Sequence, residues 1–235
     1  MGAPGTNSAG TAWSLCRENT MSCCCPHSRS ASRVFGSQAR RYRRRFERKG
    51  LEASQKQLFQ QLQQAGFSGR SIIEIGCGVG FFHQSMLEAG AQRALGIDLA
   101  EPMLDEARKE AKRRGLQDRT VYQSGDFMQM HDTDQFDVGV LDKVLCCYPD
   151  APGLLTKTAN GCDYGIGFTL PKNRWYTRLG AGLGALFMKV IRSDFRPYVH
   201  DPEALDRLLM ELGFRRKSED STWLWLSRVY LRQPA

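Results

Sequence analysis

The sequence predicts an α/β fold, a doubly wound sheet preceded by a basic helical arm. Three observations carry that expectation. Beyond residue 66, short apolar runs of strand length alternate with longer amphipathic runs, as they do where helices cover both faces of a sheet. One of those runs, Ile72-Ile73-Glu74-Ile75, opens directly into glycines at 76, 78 and 80 and then an amphipathic segment. Finally, 235 residues at 41% hydrophobic and 25% charged describe one ordinary domain with a short appendage, since domains cluster near about 100–150 residues.

Residues 1–28 are rich in Gly, Ser, Ala and Thr without periodicity. Such a composition buries too little apolar surface to order itself, so a disordered, Cys-containing leader is expected. It lacks the apolar core of a secretory signal. Its opening Met-Gly-Ala-Pro-Gly-Thr meets the loose myristoylation pattern through Gly2 and Thr6, while Met21 offers an alternative start. Across 29–66, Val34, Phe35, Tyr42, Phe46, Leu51, Leu58, Phe59, Leu62 and Ala65 recur at three, four or seven, which predicts a helical arm, broken at Gly50 and placed as a lid. The body at 67–235 offers strand candidates at 71–75, 93–97, 120–123, 136–141, 164–169, 214–218 and 223–231. Two helices have legible ends. One, at 101–114, has Pro102 in its first turn and stops at Gly115; the other, at 202–212, has Asp201 as N-cap and Gly213 beyond it. An insertion at 171–198 sets Lys172, Arg174, Arg178, Lys189, Arg192 and Arg196 around an apolar run, and is expected to cap the site.

Charge narrows the partners. A net +8 would suggest nucleic acid if it covered the body. It does not: residues 29–49 hold nine Lys or Arg against Glu47, Arg17 and Glu18 cancel, and residues 51–235 set 23 bases against 23 acids. No nucleic-acid partner is expected of a neutral body, although the arm can still meet phosphates, anionic lipid or an acidic ligand. No apolar run reaches the roughly 18–20 residues of a membrane span, which leaves peripheral contact as the membrane role. The cysteines at 16, 23, 24, 25, 77, 146, 147 and 162 suit neither a disulfide ladder nor paired zinc knuckles. A reducing, cytoplasmic setting without a metal site is expected; Cys23, Cys25 and His27 make a poor cage for a soft metal.

The glycine loop carries the chemistry. Glycine at 76, 78 and 80 lets the backbone turn tightly and approach a ligand with no Cβ in the way. A dinucleotide fingerprint would set its third glycine one place later, where Phe81 stands, so the expected ligand lacks a diphosphate. S-adenosylmethionine fits, with an amino-acid tail, a sulfonium, a ribose diol and an adenine. Glu74 heads the loop near the ammonium end, and Gly76, Gly78 and Gly80 offer backbone groups to the tail. Asp98, followed by Leu99, closes the second strand where a carboxylate can accept both ribose hydroxyls. Asp126 follows the third strand and can accept the adenine amino group while Phe127 borders the ring; Asp142 closes the fourth. Singly, an acid at a strand end is more often a cap than a ligand. Their succession on consecutive strand ends is what points to a cofactor.

Over residues 70–150 the chain resembles class I S-adenosylmethionine-dependent methyltransferases, with EIGCGVG as the glycine motif, GIDLAEPML as the second strand and its helix, and GDF as the third-strand acid. The resemblance implies a Rossmann-like seven-stranded sheet, the last strand antiparallel, with the acceptor bound above the carboxyl ends of the strands. Ala100 stands where a small hydroxyl residue is often found, which costs a helix cap that Glu101 partly offsets through the helix dipole. LDKVLCCYPD is similar to the corresponding stretch of magnesium-protoporphyrin O-methyltransferases, FERKG echoes their N-terminal helix, and FTLPKNRWY and FRPYVHDP extend the likeness weakly.

What this implies is methyl transfer to a small, anionic and partly apolar acceptor, such as a (magnesium-)protoporphyrin propionate. A carboxylate acceptor is already ionised at neutral pH and needs no general base. A phenol, amine or carbon acceptor would need one, and Tyr148 and His200 are the candidates. Arg174, Trp175 and Arg178 are the candidate acceptor contacts. Another carboxylate, a quinone-like ring or a metalloid are alternative acceptors, and an RNA-binding protein or RNA methyltransferase using the arm is the reading from another class. Cys146 and Cys147 are expected to be packing residues where the acceptor enters. His83 and His131 show no evident partner.

Overall fold

The computed structural model describes residues 32–33, 35–130, 134–190, 193 and 195–234. The expected leader with Gly2, Thr6, Cys16, Cys23, Cys24, Cys25 and His27, together with Val34, His131 and Arg192, lies outside the described residues. The elements are α1 (Ala39–Lys49), α2 (Ala53–Ala65), β1 (Ser71–Ile75), α3 (Phe81–Glu88), β2 (Arg93–Asp98), α4 (Glu101–Arg113), β3 (Thr120–Ser124), β4 (Phe136–Leu141), α5 (Ala151–Asn160), β5 (Cys162–Pro171), α6 (Trp175–Val190), α7 (Pro202–Glu211), β6 (Phe214–Ser221) and β7 (Trp225–Arg232). One seven-stranded sheet runs in the order β3-β2-β1-β4-β5-β7-β6. β1 to β5 are parallel, and β7 pairs antiparallel with both β5 and β6.

β1 shows why the strands read as continuous apolar runs. All five of its residues are buried, because a parallel strand is covered on both faces. Ile72 packs with Leu58 and Leu62 of α2 and Phe82 and Met86 of α3. Ile73 and Ile75 pack in the opposite layer with Leu154 and Leu155 of α5 and Leu205 and Leu209 of α7, as alternating side chains must. The helix ends follow the expected chemistry: Asp201 accepts from the Glu203 N–H at 3.1 Å, and Gly115 and Gly213 follow α4 and α7 at φ 69° and 86°.

The arm breaks at Gly50 as expected, at φ 65°, but its two helices belong to different parts of the molecule. α2 is body: Leu58 and Leu62 are 0% and 2% exposed and lie so close to β5 that a Cβ on Gly167 would stand 3.0 Å from Leu62 Cδ2. Only α1 has the place of a lid. Ala39 joins Val79, Phe81, Ala100 and Met103 in a small cluster over the glycine loop, Phe46 stacks on Phe81 with centroids 3.7 Å apart, and Arg43 pairs with Glu106 of α4 at 2.9 Å.

Candidate active site

A cavity opens at the carboxyl ends of β1, β2 and β4 and beside the connection after β3, and α1 roofs it. The three loop glycines all take positive φ, 65° at Gly76, 54° at Gly78 and 76° at Gly80, yet each serves differently. A Cβ on Gly76 would come within 2.3 Å of Val144 Cγ2, so this glycine lets the loops after β1 and β4 touch. A Cβ on Gly78 would meet nothing within 4 Å; the position borders open space on the cavity wall. Gly80 does not line the cavity. It is the N-cap of α3, where a Cβ would press on His83, Gln84 and Tyr122 at 3.0 Å.

Asp98 lines the cavity and braces it. Its two oxygens accept from the Gly78 and Ala100 N–H groups, each at 2.8 Å. The Gly78 N–H is therefore committed to Asp98 rather than offered to a ligand. Ala100 is the N-cap of α4 and has no side-chain cap bond, and its own N–H is the group that Asp98 holds. Burial raises the Asp98 pKa above the usual carboxylate range. Leu99 and Phe127 complete this end of the cavity. Asp126 caps the 3₁₀ turn Phe127–Gln129 by accepting from Met128 N–H at 3.1 Å, and also accepts from the Tyr148 hydroxyl.

Below the loop lies a buried polar chain that the sequence did not reveal. Glu74 Oε2 accepts from the His83 N–H at 3.1 Å and sits 2.6 Å from His83 Nδ1. His83 Nε2 is 3.1 Å from the Tyr122 hydroxyl, which accepts from Gln84 Nε2 at 2.7 Å. His83, fully buried, thus has partners on both nitrogens, contrary to expectation. Glu74 still lines the cavity, with its pKa raised by burial against the lowering effect of His83.

The rest of the cavity wall is built largely by residues whose roles the sequence did not disclose. Tyr42, Arg45 and Phe46 come from α1, Glu52 and Gln55 from the start of α2, and Lys143 and Cys147 from the loop after β4. Arg45 pairs with Glu52 at 2.7 Å, and Lys143 pairs with the other oxygen of the same carboxylate. Asp142 accepts from Gln55 Nε2 at 2.6 Å and from Thr169 Oγ1 at 2.7 Å, and burial raises its pKa. Lys143 is the one non-glycine residue at positive φ, 58°, among the described residues. Its N–H is held by Thr169 Oγ1 at 2.8 Å, so a strained backbone aims its side chain at this part of the wall. Of these residues, Phe46, Asp142 and Lys143 fall in the FERKG and LDK segments, which carried the resemblance without indicating which residues would meet.

Several expected contacts do not line the cavity. His200 Nε2 donates to the Tyr148 carbonyl at 3.0 Å and buttresses the loop from outside, with its pKa lowered by burial. The Tyr148 hydroxyl is on the wall but is spent as a donor to Asp126. Arg174, Trp175 and Arg178 are exposed at the start of α6, whose one buried residue is Thr177; the end of the insertion returns to the site, where Tyr198 N–H donates to the Cys146 carbonyl at 2.8 Å and Phe195 meets the cavity-lining Phe35. Of the adjacent thiols, Cys147 lines the cavity, with Sγ 3.8 Å from that of the buried Cys146.

This arrangement fits S-adenosylmethionine. The loop leaves open space where a Cβ on Gly78 would stand, and Glu74, Asp98 and Asp126 surround it with carboxylates that can take further hydrogen bonds. Comparisons with known proteins agree. Residues 72–161 match the family described as Methyltransferase domain. Among curated proteins, the chain is 34% identical to aklanonic acid methyltransferase DauC of Streptomyces sp. over 44% of this chain and 49% of that one. It is 26% identical to a ubiquinone biosynthesis O-methyltransferase of Psychrobacter arcticus over 67% and 64%. The chain thus spans about half to just under two thirds of the length of these relatives. Among solved structures, magnesium protoporphyrin IX methyltransferase from Synechocystis PCC 6803 with bound SAM superposes with a TM-score of 0.67 at 18% identity, covering 91% of this chain and 100% of that one.

Proposed function

We propose that this chain, which carries a methyltransferase domain on the class I S-adenosylmethionine-dependent fold, transfers a methyl group from S-adenosylmethionine to a small, anionic and partly apolar acceptor. The acceptor group we assign is a carboxylate, of the kind a (magnesium-)protoporphyrin propionate offers. One observation carries the reading: a single cavity is lined by the loop glycines with Glu74, Asp98 and Asp126, and also by two cations sharing Glu52 and by the rings of Tyr42 and Phe46.

S-adenosylmethionine, when bound, supplies an electrophilic methyl on a sulfonium. Asp98 keeps lone pairs for the ribose hydroxyls after serving Gly78 and Ala100. Glu74, fixed by His83, would hold the ammonium end, and Phe127 would border the adenine. An acceptor carboxylate replaces Glu52 as partner of Arg45 and Lys143, a charge-assisted exchange that orients it. Because that acceptor is ionised, the residues need only align it and exclude water. A phenolic, quinone-like ring is the second reading; it is favoured by the named O-methyltransferase relatives, with Asp142 as its base because burial raises that carboxyl's pKa. RNA is disfavoured because the body at 51–235 carries no net charge to track a phosphate backbone. The free thiols of Cys77, Cys146, Cys147 and Cys162 suit a reducing, cytoplasmic compartment.

The test offers labelled S-adenosylmethionine with a panel of carboxylated tetrapyrroles and, separately, catechols. Alkali-labile label on a tetrapyrrole is expected. Alkali-stable label on a catechol would replace the carboxylate with the phenol, and no transfer to either, with S-adenosylhomocysteine still bound, would remove both acceptors.

A further inference from the structure

Helix α6 turns its apolar side outward. Trp175, Leu179, Leu183, Leu186, Phe187 and Val190 are all exposed, Trp175 by 75% and Val190 by 73%, and their spacing of three and four makes one stripe. The turn between β6 and β7 extends it: Trp223, 74% exposed, stacks on Tyr176 with centroids 4.8 Å apart. The flank is basic. Residues 171–193 contain five Lys or Arg and no acid; Arg174, Arg178 and Lys189 are exposed, and Arg178 Nε meets the neutral Asn173 Oδ1 at 2.8 Å.

We propose that α6 and the Trp223 turn form a docking surface for an anionic lipid bilayer. An apolar stripe edged by bases, with aromatics at one end, satisfies both parts of such a surface: the stripe enters the acyl boundary while the bases meet acidic headgroups. A second copy of the chain fits less well, because a two-fold contact would set the same basic flank near itself. No helix among the described residues is long and apolar enough to cross a membrane, so α6 lies in the interface plane. The surface also shares an edge with the cavity. Pro171, where β5 ends, pairs with Trp225, and Lys172 N–H donates to the Leu224 carbonyl at 2.9 Å. Docking therefore occurs at the carboxyl-end edge that carries Asp142 and Lys143. The inference does not depend on which acceptor is methylated.

The test is sedimentation and tryptophan emission of the full chain with phosphatidylcholine vesicles, with and without about 30% phosphatidylserine. The full chain should bind the mixed vesicles with a blue shift, and pure phosphatidylcholine about tenfold more weakly. Leu183→Asp with Phe187→Asp should weaken mixed-vesicle binding about tenfold or more, leaving S-adenosylhomocysteine affinity unchanged as proof of folding. Arg178→Gln with Lys189→Gln, which touches no core residue, should weaken it about tenfold as well. Absence of binding to mixed vesicles overturns the proposal. So does equal binding by both double variants, since the arm would then carry the contact, or a wild-type dimer that Leu183→Asp with Phe187→Asp converts to monomer.

Discussion

Asp98 and Gly78 hold each other, and that reciprocity separates ligand effects from stability effects along one loop. Gly76→Ala places a methyl 2.3 Å from Val144 at a positive φ and should cost about 3 kcal/mol of unfolding free energy in urea titrations. Gly78→Ala meets open space; it should cost about 1 kcal/mol but weaken S-adenosylhomocysteine binding more than Gly76→Ala does per unit of lost stability. His200 gives a pH signature. Its pKa is lowered by burial, so its contribution is intact above the ordinary histidine value of about 6.5 and is lost as pH falls through the lowered value, where the unfolded chain binds the proton first. His200→Gln should flatten the stability profile in that window, and an unchanged profile would show that another group titrates there. At this scale Asp98 and Asp126 were legible, because a parallel sheet brings its strand ends to one edge. Arg45 and Lys143 were not, since what brings them together is Glu52, at the N-cap of α2.

The helices show how far periodicity reaches. α1 and α2 have the same apolar spacing, and spacing alone cannot tell whether a stripe faces a sheet or a glycine loop. α2 faces the sheet, so Leu58→Ala should cost about 2–5 kcal/mol in global unfolding. α1 faces the cavity, and Arg45→Gln should raise the acceptor KM about tenfold or more while calorimetry shows little change in S-adenosylhomocysteine affinity. Equal losses of both would make α1 part of the cofactor site instead. α6 shows the same ambiguity with the opposite outcome: its apolar run read as a cap over the site, but Thr177 is the residue it buries and its stripe points outward.

Across the whole molecule, the net +8 of the chain resides at 29–49 with Glu47 already counted, and Glu106 and Glu52 from outside α1 pair with its Arg43 and Arg45. What was legible is the succession of strands, because each announced itself as an apolar run; the antiparallel closing strand was what the family resemblance implied, and two helices had readable ends. What was not legible is the acceptor-binding part of the wall, because it joins residues 42–55 to residues 142–147, two segments far apart in sequence. The central claim is that the carboxylates and glycines at the strand ends bind S-adenosylmethionine. Calorimetric titration of S-adenosylhomocysteine into the full chain and its Asp98→Asn variant tests it most directly. One molecule bound per chain at micromolar affinity, weakened about tenfold or more by the variant, is the predicted result; no binding, or equal binding by the variant, would contradict it.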